Sequence, residues 1–263
     1  MEAIFLDISI LRMYNKKKQG QIDMNYYEKH NNKAKSFSVK ELLQSNVSAF
    51  DTVYSEILTF LETYLKSDDK ISLLDYYIRI IKKNIIYDYD NWIIDPRYLS
   101  LSKEAKEYFY HPRGGWFNIP DRYYNDDGII QYVFAGEQEI DLASTDVLCY
   151  PTKHKTVSET ITYSSLNFNA KALTHKVLYI PYINFALLLS KGHHQISVYR
   201  AFNRSLSINA RCLDISKLFD YVSTDGARWI YKNAPNITDD EVCDYRLPLL
   251  YSLAKLKYSI ETE

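Results

Sequence analysis

The sequence predicts an α+β protein with a mainly helical N-terminal region, residues 1–110, packed on a small mixed α/β core, residues 111–232, and a C-terminal helical tail, residues 233–263. Three patterns support this prediction. Apolar residues recur every three or four positions before residue 110, short β-rich runs alternate with helical segments later, and leucines return at helical spacing near the end. A content of 46% hydrophobic and 25% charged residues is typical of a globular protein with one sizeable core or two small ones.

A long amphipathic pattern predicts the N-terminal helices. Ser38 and Glu41 have the spacing of a capping box, which favours a helix start at this point. The apolar residues on one face of the helix that follows are Phe50, Val53, Tyr54, Ile57, Leu58, Leu61 and Leu65. The pattern returns in ISLLDYYIRIIKKNII, so we expect the two segments to form a helical hairpin, and Pro96 excludes a helix through the next stretch.

Short runs bounded by turn-forming residues predict the core. The expected strands are GIIQYVF, DVLCY, LTHKVLYI, NFALLLS, INARCLDI and ARWIY, and the expected helices are QISVYRAFNRS and SKLFDYVS. The tail LPLLYSLAKLKYSIE should form a helix that packs back on the body through Leu249, Leu250, Leu253 and Leu256.

Charge and cysteine usage limit the classes of function. A net charge of -1 argues against binding of nucleic acid through the overall charge of the protein, although binding through a local basic patch is an open alternative. Cys149, Cys212 and Cys243 form no C-x-x-C pair, so we expect neither a disulfide framework nor a zinc cluster. The apolar N-terminal stretch is too short for a membrane span, and Glu2 and Asp7 stand where a secretion signal would carry positive charge. We therefore expect a cytoplasmic protein that does not associate with a membrane.

The segment LLLSKGHHQISVYRAF carries the main candidate site, because it joins an apolar strand to a helix through Gly192 and two histidines. The first amides of such a helix and its dipole favour an anion, and imidazoles can donate hydrogen bonds or transfer protons there. The alternative is that one histidine caps the helix and the other is exposed. The candidate phosphate-binding residues are Lys191, Gly192, His193, His194, Arg200 and Arg204.

Other polar residues are weaker candidates, each with a structural alternative. Glu137, Glu139 and Asp141 alternate in GEQEID and would share one strand face, which suits either Mg²⁺ or the wet side of an edge strand. Asp225 in Thr-Asp-Gly belongs either to a tight turn or to the site. His175 is either a core histidine or a side chain that faces the Gly-His-His turn.

The order of these motifs resembles the ParB and sulfiredoxin superfamily, and more closely an uncharacterised bacterial family of unknown function with a ParB/sulfiredoxin-like core. The resemblance covers roughly residues 145–232. The matching motifs are Thr174-His175-Lys176-Val177, Pro181, Gly192-His193-His194, Asp214-Ile215-Ser216 and Thr224-Asp225-Gly226.

The resemblance implies a strand–glycine–histidine turn that holds nucleotide phosphates, since superfamily members bind CTP or ATP and some transfer phosphoryl groups or cleave phosphodiesters. His194 occupies the position of the family's histidine, and the implied catalytic residues are His194, His193, His175 and Asp225. Gln195 stands where the family has a basic residue, a role that would pass to Lys191 or Arg200. Sulfiredoxin chemistry is excluded, because no cysteine lies beside the turn.

Three functional classes stay open. The first is an enzyme, a nucleotide hydrolase, phosphotransferase or nuclease, that binds the phosphate of a nucleotide or nucleic acid and uses an NTP with Mg²⁺. The second is a nucleotide-gated binding module that changes its affinity for a protein partner. The third is a non-catalytic interaction component of a bacterial defence system, such as phage defence, or of a toxin system.

Overall fold

The computed structural model describes residues 39–64, 67–91, 119–149, 177–189, 192–201, 206–234, 240–242 and 244–262. Residues 40–263 form one compact unit. The predicted domain boundary near residue 110 lies outside the described residues.

Four helices and ten strands make up the described part of the chain. The helices are α1 (Val39–Tyr64), α2 (Ser67–Asn91), α3 (His193–Ala201) and α4 (Arg246–Thr262). The strands are β1 (Arg122–Tyr124), β2 (Ile130–Tyr132), β3 (Phe134–Asp141), β4 (Asp146–Leu148), β5 (Val177–Ile180), β6 (Phe185–Leu188), β7 (Ser207–Leu213), β8 (Val222–Thr224), β9 (Arg228–Tyr231) and β10 (Asp240–Glu241). The α+β class and the C-terminal helix are therefore confirmed.

The strands form three sheets, and the largest of them positions the candidate site. It has five strands in the order β3-β7-β5-β6-β4. The pairs β4–β6 and β5–β7 are parallel, while β3–β7 and β5–β6 are antiparallel. The order β10-β9-β8 gives an antiparallel three-stranded sheet, and β1 and β2 form a separate hairpin.

Both faces of the central strands β5 and β6 are buried. In β5, Val177 and Tyr179 pack in one apolar cluster with Ile196 of α3, whereas Leu178 and Ile180 belong to a second and larger cluster. This division follows from the alternation of side chains along a strand. The larger cluster also contains the apolar faces of α1, α2 and α4, so the helices at both ends of the described chain share one core with the sheet.

Polar contacts fix α2 on the sheet. The side chain of Lys82 is only 7% exposed, and its ammonium nitrogen lies 2.9 Å from a carboxylate oxygen of Asp146 at the start of β4. It also donates hydrogen bonds to the carbonyls of Ile183 and Asn184, at 2.6 and 3.1 Å, in the turn before β6. These acceptors compensate for the cost of burying the charge. They hold α2 across the beginnings of two neighbouring parallel strands.

A second polar cluster joins α2 to α4. Arg246 donates to both carboxylate oxygens of Asp244 and also to Asp88 and Asn84 on α2. Tyr89 donates to the same buried carboxylate of Asp244 at 3.2 Å. The start of α4 is thereby fixed beside the last turns of α2.

A close approach at Gly226 brings the turn between β8 and β9 against α1. A Cβ atom added at Gly226 would lie 2.3 Å from Cβ of Phe50 and 3.1 Å from the carbonyl oxygen of Asn46. The backbone φ of +90° is a second reason for glycine at this position.

One prediction about the fold is wrong. The segment SKLFDYVS is not an α-helix but a 3₁₀ turn, Ile215–Leu218, followed by strand β8, since its apolar residues serve two short elements rather than one helix face. The expected helical hairpin of α1 and α2 stays a prediction: both helices contribute to the larger core cluster, and the most extensive contact of α2 with another helix is with α4. The tail itself agrees with its prediction: Leu249, Leu250 and Leu253 are buried, and Leu256 packs against the same core.

Candidate functional site

The Gly-His-His turn forms the start of α3, as predicted. Gly192 has a φ of +126°, which strongly favours glycine, and its carbonyl accepts the amide of Ile196 at 3.0 Å, the first bond of the helix. His193 and His194 are therefore the first two residues of α3, and no acidic residue lies in its first turn. An α-helix offers no internal acceptor for the amides of its first turn, so this end of α3 favours an anion.

The direction of the strands places this turn at the end of the five-stranded sheet where β4 and β6 terminate. Since β4 and β6 are parallel and in register, with Leu148 opposite Leu187, the carboxyl ends of both strands lie at the same end of the sheet. Cys149 follows β4 there, and α3 begins shortly after β6. Ligand sites in sheets with parallel strands lie preferentially at the carboxyl ends of such strands.

One face of α3 carries a polar row of His193, Ser197 and Arg200, which are spaced four and three residues apart. Two of its side chains meet Asp90 near the end of α2. The hydroxyl of Ser197 donates to Oδ1 of Asp90 at 3.1 Å, and the Arg200 guanidinium lies 3.3 Å from Oδ2. Arg200 also donates to the carbonyl of Val147 at 3.0 Å. Arg200, a predicted phosphate ligand, therefore links α3 to α2 and β4.

Cys149 completes this polar cluster but is not an activated nucleophile. Its sulfur lies 3.0 Å from Oγ of Ser197. Either group can donate in this contact, and the Ser197 hydroxyl also donates to Asp90. Burial, and then the neighbouring Asp90 carboxylate, raise the pKa of the Cys149 thiol to about 11, so it stays protonated at neutral pH.

Burial also governs Asp90 and His193. Burial raises the pKa of Asp90, although Arg200 and the hydrogen bonds from Ser197 and Arg200 oppose the increase. Burial, and then the neighbouring His194, lower the pKa of His193 to about 4. His193 is therefore a neutral imidazole at physiological pH and presents one N–H donor and one acceptor nitrogen.

Acidification should destabilise the fold through His193. An unfolded chain protonates this imidazole near pH 6.5, whereas the folded protein resists protonation until about pH 4. The stability that the neutral form provides is present above pH 6.5 and is lost as the pH falls towards 4. We expect urea unfolding between pH 7 and pH 4 to show a smaller loss for His193→Gln than for the wild type. An identical pH dependence in the two proteins would contradict this environment for His193.

Asp225 lies in a turn on a different sheet. It occupies the hairpin between β8 and β9, where its Oδ1 accepts the amides of Ala227 and Arg228 at 2.9 and 2.8 Å. These bonds fit the turn role that the Thr-Asp-Gly sequence offered as one alternative.

The three carboxylates of GEQEID lie along edge strand β3. Glu137 and Glu139 are exposed, and Oδ1 of Asp141 accepts the amides of Ala143 and Leu206, at 3.2 and 3.1 Å, which fixes a turn. Among the described residues, no group of three or more histidine, cysteine or acidic side chains is arranged to hold a metal ion. This exposure fits the wet side of an edge strand.

The remaining predicted site residues, His175, Lys191 and Arg204, lie outside the described residues. Sequence reasoning did not select Asp90, Cys149 or Ser197 for the site. Ser197 could have been found from its spacing to His193 and Arg200 on one helix face. Asp90 and Cys149 carry no such signal, because they come from distant elements.

Comparison with known proteins adds a family but no activity. The model of a family of unknown function, DUF6710, matches residues 15–263. No curated protein and no solved structure matches the chain. In the part of the chain that the structure describes, no helix is long and apolar enough to cross a membrane.

Proposed function

The chain belongs to DUF6710, a family of unknown function, and we propose from its candidate site that it binds a phosphate group of a nucleotide or nucleic acid at the start of α3. The observation that carries this proposal is the start of α3 at His193, directly after Gly192, with two imidazoles and no carboxylate in its first turn. Backbone amides and the helix dipole favour an anion at such a position, and each imidazole adds a possible donor.

His194 is the proposed principal ligand of the two histidines. The surroundings of His193 disfavour its cationic form, so that residue can contribute only a neutral hydrogen bond at physiological pH. His194 also occupies the position of the histidine in the ParB/sulfiredoxin-like turn. We also propose that the core is ParB/sulfiredoxin-like. In it, β6, Gly192 and α3 would correspond to the phosphate-binding strand, turn and helix.

The polar row on α3 supports the orientation of the proposed site. Ser197 and Arg200 both contact Asp90, so the middle and the last turn of α3 are fixed to α2. The first turn of α3 lies at the carboxyl ends of β4 and β6. Bound anion would then be recognised by the start of the helix. In the enzyme class, His194 is the group that would transfer a proton to or from a nucleotide held there with Mg²⁺, and His193 would contribute a neutral hydrogen bond.

We expect His194→Ala to weaken phosphate binding about ten- to a hundred-fold, since a hydrogen bond to a charged group contributes roughly 1.5–3 kcal/mol. Isothermal titration calorimetry with ATP, CTP, a short single-stranded oligonucleotide and inorganic phosphate, each with and without Mg²⁺, measures the loss. The matched control is Gln195→Ala, which removes an exposed side chain from the next position of the same helix and should bind as the wild type does.

The outcomes separate the functional classes. Binding with Mg²⁺-dependent turnover supports the enzyme, and saturable binding without turnover supports the nucleotide-gated module. Absence of binding by the wild type, or an equal loss in His194→Ala and Gln195→Ala, would mean that the two histidines serve only to begin the helix.

A further inference from the structure

Strand β3 is the longest described strand and lies at an open edge of the five-stranded sheet. In the described part of the chain, β3 pairs with β7 on one side and with no strand on the other. Residues 135–139 are all exposed. The pairing shifts register between Phe134 and Glu137, where Gly136 has a φ of +96°, and is continuous from Glu137 to Asp141. Alternate residues of this regular five-residue stretch therefore present backbone groups at the open edge.

An apolar surface adjoins this edge. Ile129, Ile130 and Tyr132 are 57%, 45% and 60% exposed, and the ring of Tyr132 stacks on that of Phe134 with centroids 6.0 Å apart. The Arg211 guanidinium lies 3.8 Å from the centroid of Phe134. Clustered exposure of large apolar side chains marks an interaction surface more often than isolated exposure does.

The charges around this surface decide between possible partners. Asp126, Asp127, Glu137 and Glu139 are exposed carboxylates, and they outnumber the cation of Arg211, which lies opposite Glu137 on β7 and against the ring of Phe134. A second copy that paired through its own β3 would bring Glu137 and Glu139 against the same acidic strand, which is unfavourable. Nucleic acid would be repelled by the same carboxylates. A cationic strand is favoured by them.

We propose that the open edge of β3 accepts an extended, lysine- or arginine-rich segment of another protein, which adds a strand beside residues 137–141. Basic side chains at alternate positions of that segment would lie beside Glu137 and Glu139. Apolar side chains beyond its end would contact Ile129, Ile130 and Tyr132. Backbone hydrogen bonds supply affinity in strand addition, and the alternating side chains supply specificity. This surface is separate from the proposed phosphate site and does not depend on it.

A synthetic peptide of alternating lysine and valine, ten residues long, is the probe, and its glutamate–valine counterpart is the reference peptide. Fluorescence anisotropy at low ionic strength measures binding to the full chain. Hydrogen exchange measured by mass spectrometry maps the contact. We expect the lysine peptide alone to bind and to slow exchange in the segment that contains residues 137–141.

Charge reversal at the edge tests the proposed selectivity. In the double variant Glu137→Lys, Glu139→Lys, we expect the affinity for the lysine peptide to fall at least about tenfold and the glutamate peptide to bind instead. The control double variant Asp51→Lys, Glu56→Lys makes the same change of charge at exposed positions of α1 and should keep the wild-type preference.

Three results would overturn the proposal. The first is failure of the wild type to bind the lysine peptide, and the second is an equal loss of affinity in the two double variants. The third is protection of residues 137–141 in the absence of peptide together with a dimer in analytical ultracentrifugation, because a second copy would then occupy the edge.

Discussion

Replacement of Arg246 by methionine is expected to lower the free energy of unfolding by about 3–5 kcal/mol, because it leaves the carboxylate of Asp244 buried without its cation. Asp244 is 7% exposed and accepts the Arg246 guanidinium at 2.7 Å. Burial acts to raise the pKa of Asp244, but the charge of Arg246 and the hydrogen bonds from it have the larger combined effect, so the pKa lies below the usual range. The same guanidinium contacts Asp88 and Asn84, so the variant also removes the polar link between α2 and α4.

Two controls separate this explanation from a general weakness of α4. The double variant Asp244→Asn, Arg246→Met removes both charges and should lose less stability than Arg246→Met alone. Lys257→Met breaks ion pairs with Asp75 and Glu261, which are both partly exposed, so it leaves no buried carboxylate unpaired and should lose less stability than Arg246→Met. Chemical denaturation gives all three values. Equal losses in Arg246→Met and Lys257→Met would show that the buried charge is not the cause.

Gly226→Ala is expected to destabilise the protein by about 2–6 kcal/mol, from backbone strain and overpacking of roughly 1–3 kcal/mol each. The added Cβ would lie 2.3 Å from Cβ of Phe50, an atom fixed by the backbone of α1 that cannot rotate away. The φ of +90° adds strain that does not depend on this contact.

Gly136→Ala is the matched control for this substitution. Its φ of +96° is similar, but an added Cβ would meet no atom within 4 Å. Only the backbone strain of roughly 1–3 kcal/mol should then appear in the free energy of unfolding. If the two alanine variants lose the same stability, the close approach of α1 to the β8–β9 turn does not contribute.

Local patterns predicted much of the fold, because local physics sets much of it. The spacing of apolar residues predicted α1 and α4, and turn-forming residues marked most of the strands. The helix expected over SKLFDYVS was wrong because Leu218 and Val222, four residues apart, have a spacing that fits a helix, whereas Leu218 lies in a 3₁₀ turn and Val222 in strand β8. The main partner of α2 could not be predicted, since the contact of Asp88 with Arg246 joins residues 158 positions apart.

The candidate site divides in the same way. Gly192 and the two histidines are consecutive, so their place at the start of α3 could be read from the sequence. The contacts of Asp90 with Ser197 and Arg200 join residues 107 and 110 positions apart, and nothing in the local sequence around Asp90 indicates them. Helix periodicity alone places Ser197 and Arg200 beside His193, but it does not identify what that face contacts.

The dependence of α2 on α4 has a consequence for synthesis on the ribosome. Arg246 emerges 158 residues after Asp88, and at about 5–20 residues per second this interval lasts roughly 8–30 s. During that time the apolar face of α2, with Leu74, Ile78 and Ile85, lacks the leucines of α4 that later share its core. A nascent chain with such a face exposed is a typical client of chaperones, so the protein should depend on them more during translation than after release.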